Sequence, residues 1–160
     1  MEDAMSLERL IGDLKNGLGM VRVNAAVELG KLRDKGAEQA LIEALRDGNM
    51  AVRNNAAFSL GELRSQDAVP RLIAMFSDPE ERVRKSAVKA LGMIGTRDAI
   101  APLIQLLASD PSAIVKRSVI RSLGQIGGPK AMQAVESFIS GPDVILAAMA
   151  KQVLEKHNNR

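Results

Sequence analysis

Residues 83–92 read VRKSAVKALG, and this stretch decides the fold because it is one of four similar copies in the chain. The other copies are VRVNAAVELG at 21–30, VRNNAAFSLG at 52–61 and VKRSVIRSLG at 115–124. They follow one another at a nearly constant interval of about 31 residues. A repeat of this length is the mark of a solenoid, in which each supersecondary unit buries its apolar side against its neighbours.

Each copy has the periodicity of one amphipathic helix, which we call helix B. Counting the first Val of a copy as position 0, apolar residues recur at positions 0, 4, 8 and 11. These positions lie on one side of a helix. A glycine at position 9 would allow a neighbouring helix to approach closely, or would ease the chain out of the helix.

A second apolar pattern precedes each copy and predicts another helix, helix A. The pairs Leu10-Ile11, Leu41-Ile42, Leu72-Ile73 and Leu103-Ile104 recur at the interval of the helix-B copies, and Val135 opens a fifth unit one interval later. Turn-forming residues such as Asp47-Gly48 and Asp78-Pro79 separate A from B. The sequence therefore predicts one domain over residues 1–160, with five repeats at about 5–33, 34–64, 65–95, 96–127 and 128–157.

The motif V-R-x-x-A-A-x-x-L-G, preceded by A-x-x-x-L-I and a turn Asp, resembles the short prokaryotic HEAT-like repeats of the phycocyanobilin-lyase type. This resemblance implies an all-α, right-handed α-solenoid of five helix pairs. The fifth unit departs from the motif, because Leu146 replaces the Arg and Leu154 replaces the Gly. A divergent last repeat is expected where it caps the stack.

A basic residue stands at position 1 of each of the first four copies, and an acid or amide lies six residues before it. The pairs are Asn16 with Arg22, Asp47 with Arg53, Asp78 with Arg84, and Asp110 with Lys116. The fifth unit has Ser140 and Leu146 there, so acid and base disappear together. In the HEAT family such side chains form a hydrogen-bonded ladder along the stack, and the resemblance implies this structural role in preference to an anion-binding one.

Positions 2, 6 and 10 of helix B point away from the predicted core. The resemblance implies that helix B lines the concave surface, so these side chains are candidate partner-binding residues. They are Val23, Val27, Phe58, Lys85, Lys89, Arg117, Arg121 and Lys151. The alternatives are that the basic residues form an ordinary solvated surface and that curvature of the stack covers Phe58.

The net charge of +3 is unevenly distributed. Residues 1–80 hold ten Lys/Arg and thirteen Asp/Glu, whereas residues 81–160 hold twelve and six. The basic second half indicates an acidic partner.

The sequence predicts no catalytic, cofactor or metal site. There is no cysteine, and His157 is the only histidine, so neither a nucleophile–His pair nor a converging ligand set is available. Deoxyhypusine hydroxylase, an enzyme class with similar repeats, holds iron with His-Glu pairs that this chain lacks. No phosphate-binding loop motif occurs.

We therefore expect a non-enzymatic scaffold that binds another protein or peptide, acidic in character, on the helix-B surface. Two alternatives stay open, namely binding of nucleic-acid phosphates by the basic half and a role as a bilin-lyase-type enzyme subunit. The acidic start, Met1 to Met5, does not resemble a signal peptide, and no apolar run approaches a membrane span. These features predict a cytoplasmic protein without a membrane partner.

Overall fold

The computed structural model describes residues 2–159, with side chains from Leu7 onward, so Met1 and Arg160 of the predicted domain lie outside the described residues. Within this range the chain forms ten α-helices and no strand. Their bounds are α1 Glu2–Asn16, α2 Met20–Leu32, α3 Glu38–Ala44, α4 Met50–Glu62, α5 Val69–Ala74, α6 Glu81–Ile94, α7 Ile100–Ser109, α8 Ala113–Ile126, α9 Pro129–Glu136 and α10 Val144–Asn158. Short 3-10 turns at Lys35–Ala37, Met75–Ser77 and Arg97–Ala99 flank the A helices.

The helices stack in pairs. Each odd-numbered helix is an A helix that packs on the B helix following it, and consecutive B helices pack on one another from α2 to α10. The predicted fold class is confirmed, because this arrangement is an all-α solenoid of five helix pairs.

The B helices carry the continuous core of the stack. Their position-8 leucines are completely buried, as are the position-0 valines of the second, third and fourth repeats. These residues are Leu29, Leu60, Leu91, Leu123, Val52, Val83 and Val115. Burial of a Leu or Val side chain contributes about 1.5–3 kcal/mol, so this column is a main source of stability.

Small residues bring successive B helices into close contact. A Cβ added to Gly61 would lie 2.8 Å from Cα of Ala90, and one added to Gly92 would lie 2.7 Å from Oγ of Ser122. Position 9 of one B helix therefore faces position 7 of the next from α2 to α8, whereas Gly124 of α8 faces Val153 of α10. The Ser122 hydroxyl donates a hydrogen bond to the carbonyl oxygen of Val88 at 3.0 Å across the same contact.

The first B helix differs because no repeat precedes it among the described residues. Position 0 and position 7 lie two turns apart on one side of a helix, and in the later repeats this side faces the preceding B helix. In α2 the same side carries Val21, which is 46% exposed, and Glu28, which is also exposed. The expectation of a buried position 0 therefore fails in the first repeat, for lack of a neighbour.

We predict that any side chain at Gly61 destabilises the fold, because of the close helix contact. Gly61→Ala should lower the free energy of unfolding by about 1–3 kcal/mol, because the new methyl group overlaps the backbone of Ala90. Gly12→Ala is the matched control, since Gly12 lies inside α1 with no heavy atom within 4 Å of an added Cβ. The control should gain up to about 1 kcal/mol from helix propensity. Urea unfolding checks both, and equal effects would contradict the close contact.

Candidate functional site

Three arginines bridge successive repeats at the A–B turns. Arg53 donates from Nε to Oδ2 of Asp78 at 2.8 Å and from Nη2 to Oδ1 of Asp78 at 3.0 Å. Its Nη1 donates to the backbone carbonyl of Asp47 at 2.9 Å. Arg53 thus forms hydrogen bonds both to the turn of its own repeat and to the acid of the next repeat.

The same arrangement recurs on both sides of this bridge. Arg22 makes two hydrogen bonds to Asp47 at 3.0 and 3.2 Å, and Arg84 makes two to Asp110 at 2.7 and 3.2 Å. We call these three bridges the ladder. Each ladder Arg pairs with the turn acid of the following repeat, not with the acid six residues before it in its own repeat. In the second and third repeats, that earlier acid accepts a hydrogen bond from the Arg only through its backbone carbonyl.

Each acid of the ladder also shapes its own turn. One carboxylate oxygen accepts a hydrogen bond from the backbone N–H two residues later, which is Asn49 for Asp47 and Ser112 for Asp110, both at 2.8 Å. Charge-assisted hydrogen bonds of this kind are stronger than neutral ones. The ladder therefore links the turn conformation to the stacking of repeats.

Lys116 is the predicted ladder residue for which the structure shows no bridge. It is half-buried, and no carboxylate oxygen of the described residues lies within 4.0 Å of its ammonium group. The ladder thus ends one repeat before the stack does.

The ion pairs shift the pKa values of Arg53, Arg84 and Asp110. The hydrogen bond from Arg53 to Asp78 is the main reason that the pKa of Arg53 is raised, and Asp110 does the same for Arg84. Burial alone would raise the pKa of Asp110. Hydrogen bonds from Arg84 and from the Ser112 amide, with the charges of Arg84 and Lys116, outweigh it, so this pKa lies below its usual value.

A row of side chains at position 6 of the B helices lies open to solvent on the later repeats. Phe58, Lys89, Arg121 and Lys151 are exposed, and Val27 is half-buried. We call this row and the position-2 residues beside it the B face. The ammonium group of Lys89 lies 5.5 Å from the centroid of the Phe58 ring, within the range of a cation–π contact. The apolar and basic parts of the B face therefore meet at this pair.

Val23, a predicted partner-binding residue at position 2, requires a correction. It is only 8% exposed and belongs to the core, while Lys85 and Arg117 at the same position are half-buried. The reason is that position 2 lies at the contact between B helices, since the Ser86 hydroxyl donates to Oδ1 of Asn54 at 2.7 Å. A short Val is covered at this contact.

The structure adds apolar residues that the sequence reasoning missed. Met20 is 65% exposed, Ile114 is 40% exposed and Val144 is 79% exposed. They lie seven residues, or about two helical turns, before Val27, Arg121 and Lys151, and so share the side of the helix that bears the B face. The signal was present in this seven-residue spacing, but position −1 precedes the repeat motif and so falls outside the pattern that defined the face.

The basic side chains of the B face lack acidic neighbours. No carboxylate oxygen of the described residues lies within 4.0 Å of the charged groups at positions 2 and 6, namely those of Lys85, Lys89, Arg117, Arg121 and Lys151. Near the start of the stack, by contrast, Lys31 pairs with Glu28 and Arg33 pairs with Glu62. The later repeats thus present unneutralised positive charge.

Other kinds of site find no support in the described part of the chain. His157 is exposed near the end of α10, and no group of three or more His, Cys, Asp or Glu side chains could converge on a metal ion. Within residues 2–159, no helix combines the length and apolar character needed to cross a membrane.

A family model for HEAT repeats matches the chain over residues 7–85, 38–121 and 69–155, which together span nearly all of it. The chain belongs to the HEAT-repeat family. The predicted resemblance is thereby confirmed, and the last match covers the divergent fifth helix pair except for the final turn of α10. No curated protein sequence matches this HEAT-repeat chain.

Solved structures show the same architecture. A chain in the complex of CpcE and CpcF of phycocyanin lyase from Nostoc sp. PCC7120 matches with a TM-score of 0.81 and 29% identity, covering 96% of this chain and 65% of that one. The HEAT-repeat chain thus spans about two thirds of that relative's length. A designed armadillo repeat protein in complex with the peptide (KR)4 matches with a TM-score of 0.74 and 21% identity, covering 96% of this chain and 82% of that one. An archaeal HEAT-like repeats protein from Thermococcus onnurineus NA1 matches with a TM-score of 0.53 and 21% identity, covering 91% and 61%.

We predict that the ladder makes part of the stability dependent on pH. Because the pKa of Asp110 is lowered in the folded state, its contribution is complete above the unfolded value of about 3.9 and is lost as the pH falls through the folded value. Asp110→Asn should cost about 3 kcal/mol at pH 7, since it leaves Arg84 charged and nearly buried.

Urea unfolding between pH 7 and pH 3 measures this contribution. The difference between wild type and Asp110→Asn should shrink as the pH falls below about 4. Asp98→Asn, which changes an exposed acid of the turn that precedes α7, should stay within about 0.5 kcal/mol of wild type. A constant difference across the pH range would contradict the role assigned to Asp110.

Proposed function

We propose that the chain is a non-enzymatic scaffold that binds an acidic, amphipathic segment of another protein on the B face. The observation that supports this most is the row of exposed basic side chains, Lys89, Arg121 and Lys151, that lack a carboxylate within 4.0 Å in the described structure. Such a surface steers an acidic partner and disfavours basic ones. We also propose that the B face is the concave side of the solenoid, as it is in related repeats.

Energetic considerations require the partner to be apolar as well as acidic. An exposed ion pair contributes about 0.2–1 kcal/mol, so five of them contribute at most about 5 kcal/mol. Micromolar affinity corresponds to about 8 kcal/mol, before the entropy lost on binding is counted. The remaining binding free energy would come from burial of the partner's apolar side chains against four exposed residues of this chain, namely Phe58, Met20, Ile114 and Val144.

The cation–π contact places the two kinds of anchor next to each other. Lys89 stands over Phe58, so an acidic group that pairs with Lys89 brings its neighbouring residues onto the ring. A partner with a Glu or Asp beside a Leu or Ile satisfies both contacts. Aromatic anchors that become fully desolvated in the complex are among the residues that contribute most to interfaces.

A second candidate function is that of a subunit in an enzyme of the bilin-lyase type. The observation that favours it is the match to a chain of the CpcE–CpcF complex of phycocyanin lyase, at 29% identity over 96% of this chain. In such a subunit the B face would contact a second lyase chain or a protein that carries a chromophore. Incubation of the protein with a free bilin is the simple test, and a shifted absorption band would favour this function.

We predict that charge reversal on the B face strongly weakens binding of an acidic amphipathic peptide. The probe is a fluorescein-labelled helical peptide with Glu on one side and Leu on the other. Lys89→Glu combined with Arg121→Glu should raise the Kd at least tenfold, because two attractive contacts become repulsive. Phe58→Ala should raise it about three- to tenfold through lost apolar burial. Fluorescence anisotropy at low and at raised salt concentration provides the measurement.

The control pair is Arg71→Glu with Lys130→Glu, which changes the net charge equally but alters exposed residues of the A helices. It should change the Kd less than twofold. Equal losses in both double variants would show that net charge alone attracts the peptide and would reject the B face. Tighter binding of a DNA duplex than of the peptide, with a steep dependence on salt, would favour the phosphate-binding alternative instead.

A further inference from the structure

The ladder lacks its last bridge because the fifth repeat offers no acid at the required place. The acids of the ladder, Asp47, Asp78 and Asp110, each stand three residues before the first residue of a B helix. Counted from the start of the helix, the equivalent residue before α10 is Gly141, one residue after the Ser140 that the motif predicts. Gly141 follows Lys116 at the same interval at which Asp47 follows Arg22. Lys116 therefore occupies the donor position of a fourth bridge whose acceptor is missing.

The nearest acid of the fifth repeat is already engaged. Asp143 is the N-cap of α10, and its Oδ1 accepts hydrogen bonds from the amides of Ile145 and Leu146, both at 3.0 Å. Its carboxylate is not within 4.0 Å of the ammonium group of Lys116. Asp143 thus serves as a helix cap, as Asn49 and Ser112 do before α4 and α8, and does not replace the ladder acid.

An open pocket takes the place of the missing bridge. It has a volume of about 420 Å³ and lies between the ends of α8 and α10, with Lys116 in its wall. Apolar groups of Phe138, Leu146, Pro142, Pro111 and Ala113 form much of the remaining lining. Ser137, Gly141 and Asp143 complete it, and Oδ1 of Asp143 is already engaged by the two amides at the start of α10. The volume falls within the range of about 300–1,000 Å³ that is typical of small-ligand sites.

We propose that this pocket, which we call the end pocket, binds a carboxylate carried on a compact apolar group. The carboxylate takes the position of the missing ladder acid and accepts hydrogen bonds from the Lys116 ammonium group. The apolar part lies against Phe138 and Leu146. This inference does not depend on the B face, because none of the B-face residues lines the end pocket.

The residue types suit an exchangeable ligand. In the first three repeats, an Arg guanidinium group donates hydrogen bonds to both carboxylate oxygens of an Asp of the same chain. Lysine is a compact point charge with three donors, so it can meet a carboxylate that enters from solvent without a fixed planar approach. Lys116 lies in the pocket wall, and its charge also contributes to lowering the pKa of the nearby Asp110.

The first experiment is an amide-resolved NMR titration of the whole chain with 3-phenylpropionate and with its neutral amide, 3-phenylpropionamide. The acid should shift the resonances of Lys116, Phe138 and Leu146 in a saturable manner, and the amide should bind at least tenfold more weakly. Lys116→Gln should reduce acid binding at least tenfold, whereas Lys130→Gln, on the exposed side of α9, should leave it within twofold. Equal binding of acid and amide, or no effect of Lys116→Gln, would overturn the proposal.

The second experiment restores the missing acid. Gly141 does not have a positive φ, and an added Cβ would lie 3.3 Å from the carbonyl oxygen of Phe138, so a side chain there requires a shift of a few tenths of an ångström. Asp and Asn carry the same Cβ, so this cost is equal in the two variants compared. Gly141→Asp should abolish binding of 3-phenylpropionate and raise the melting temperature relative to Gly141→Asn. This advantage should disappear when Lys116→Gln is added. Undiminished binding by Gly141→Asp would refute the site.

A capped dipeptide separates the two sources of such a carboxylate. Acetyl-Phe-Asp-amide presents an acidic side chain beside an apolar one, as a partner protein would. Shifts at the end pocket with both ligands would assign the site to an acidic residue of a protein partner. Shifts with 3-phenylpropionate alone would assign it to free carboxylic acids, and shifts with neither would refute the proposal.

Discussion

The close approach of successive B helices is the constraint on which the rest of the structure depends. Glycine at position 9 of one helix faces a small residue at position 7 of the next, as Gly61 faces Ala90 and Gly92 faces Ser122. This contact leaves no room for a side chain at position 9, so it sets both the distance and the register between repeats. With the register set, position 6 of every B helix comes to the same surface, and each ladder arginine reaches the acid of the next turn.

The ladder and the B face show how one repeat motif produces two surfaces with opposite uses. At the A–B turns, Arg22, Arg53 and Arg84 are neutralised by acids of the following repeats, and their charge holds the stack together. At position 6 of the later repeats the positive charge has no acidic neighbour within 4.0 Å in the described structure, and it is available to a partner. The two roles separate because an Arg at position 1 points along the stack, whereas position 6 points to solvent.

The regular interval between the copies and the apolar positions within each copy were sufficient to predict the helix pairs, their order and the shared core. What they could not supply was the environment of residues at the ends of the stack and at the contacts between helices. Val21 is exposed because no repeat precedes the first B helix among the described residues, and Val23 is buried because position 2 lies at the contact with the next B helix, both against expectation. Position 2 is ambiguous from periodicity alone, since it is half-buried as Lys85 and buried as Val23.

The exposed residues at position −1, such as Ile114, were overlooked because the motif was counted from its first Val. The ladder partners could be recognised by type, but their register depends on how far one repeat lies from the next.

Spin-label distance measurements test the stacking directly, and the absence of cysteine from the sequence makes the labelling sites unambiguous. Labels at Phe58→Cys and Arg121→Cys span two repeats of the position-6 row, and labels at Val27→Cys and Lys151→Cys span four. With B helices about 8–10 Å apart, the expected separations are about 16–20 Å and about 32–40 Å, the longer being reduced by curvature. A distance across four repeats that clearly exceeds the distance across two is the predicted result. Equal distances would indicate a closed bundle and would contradict the shared row on which the proposed function rests.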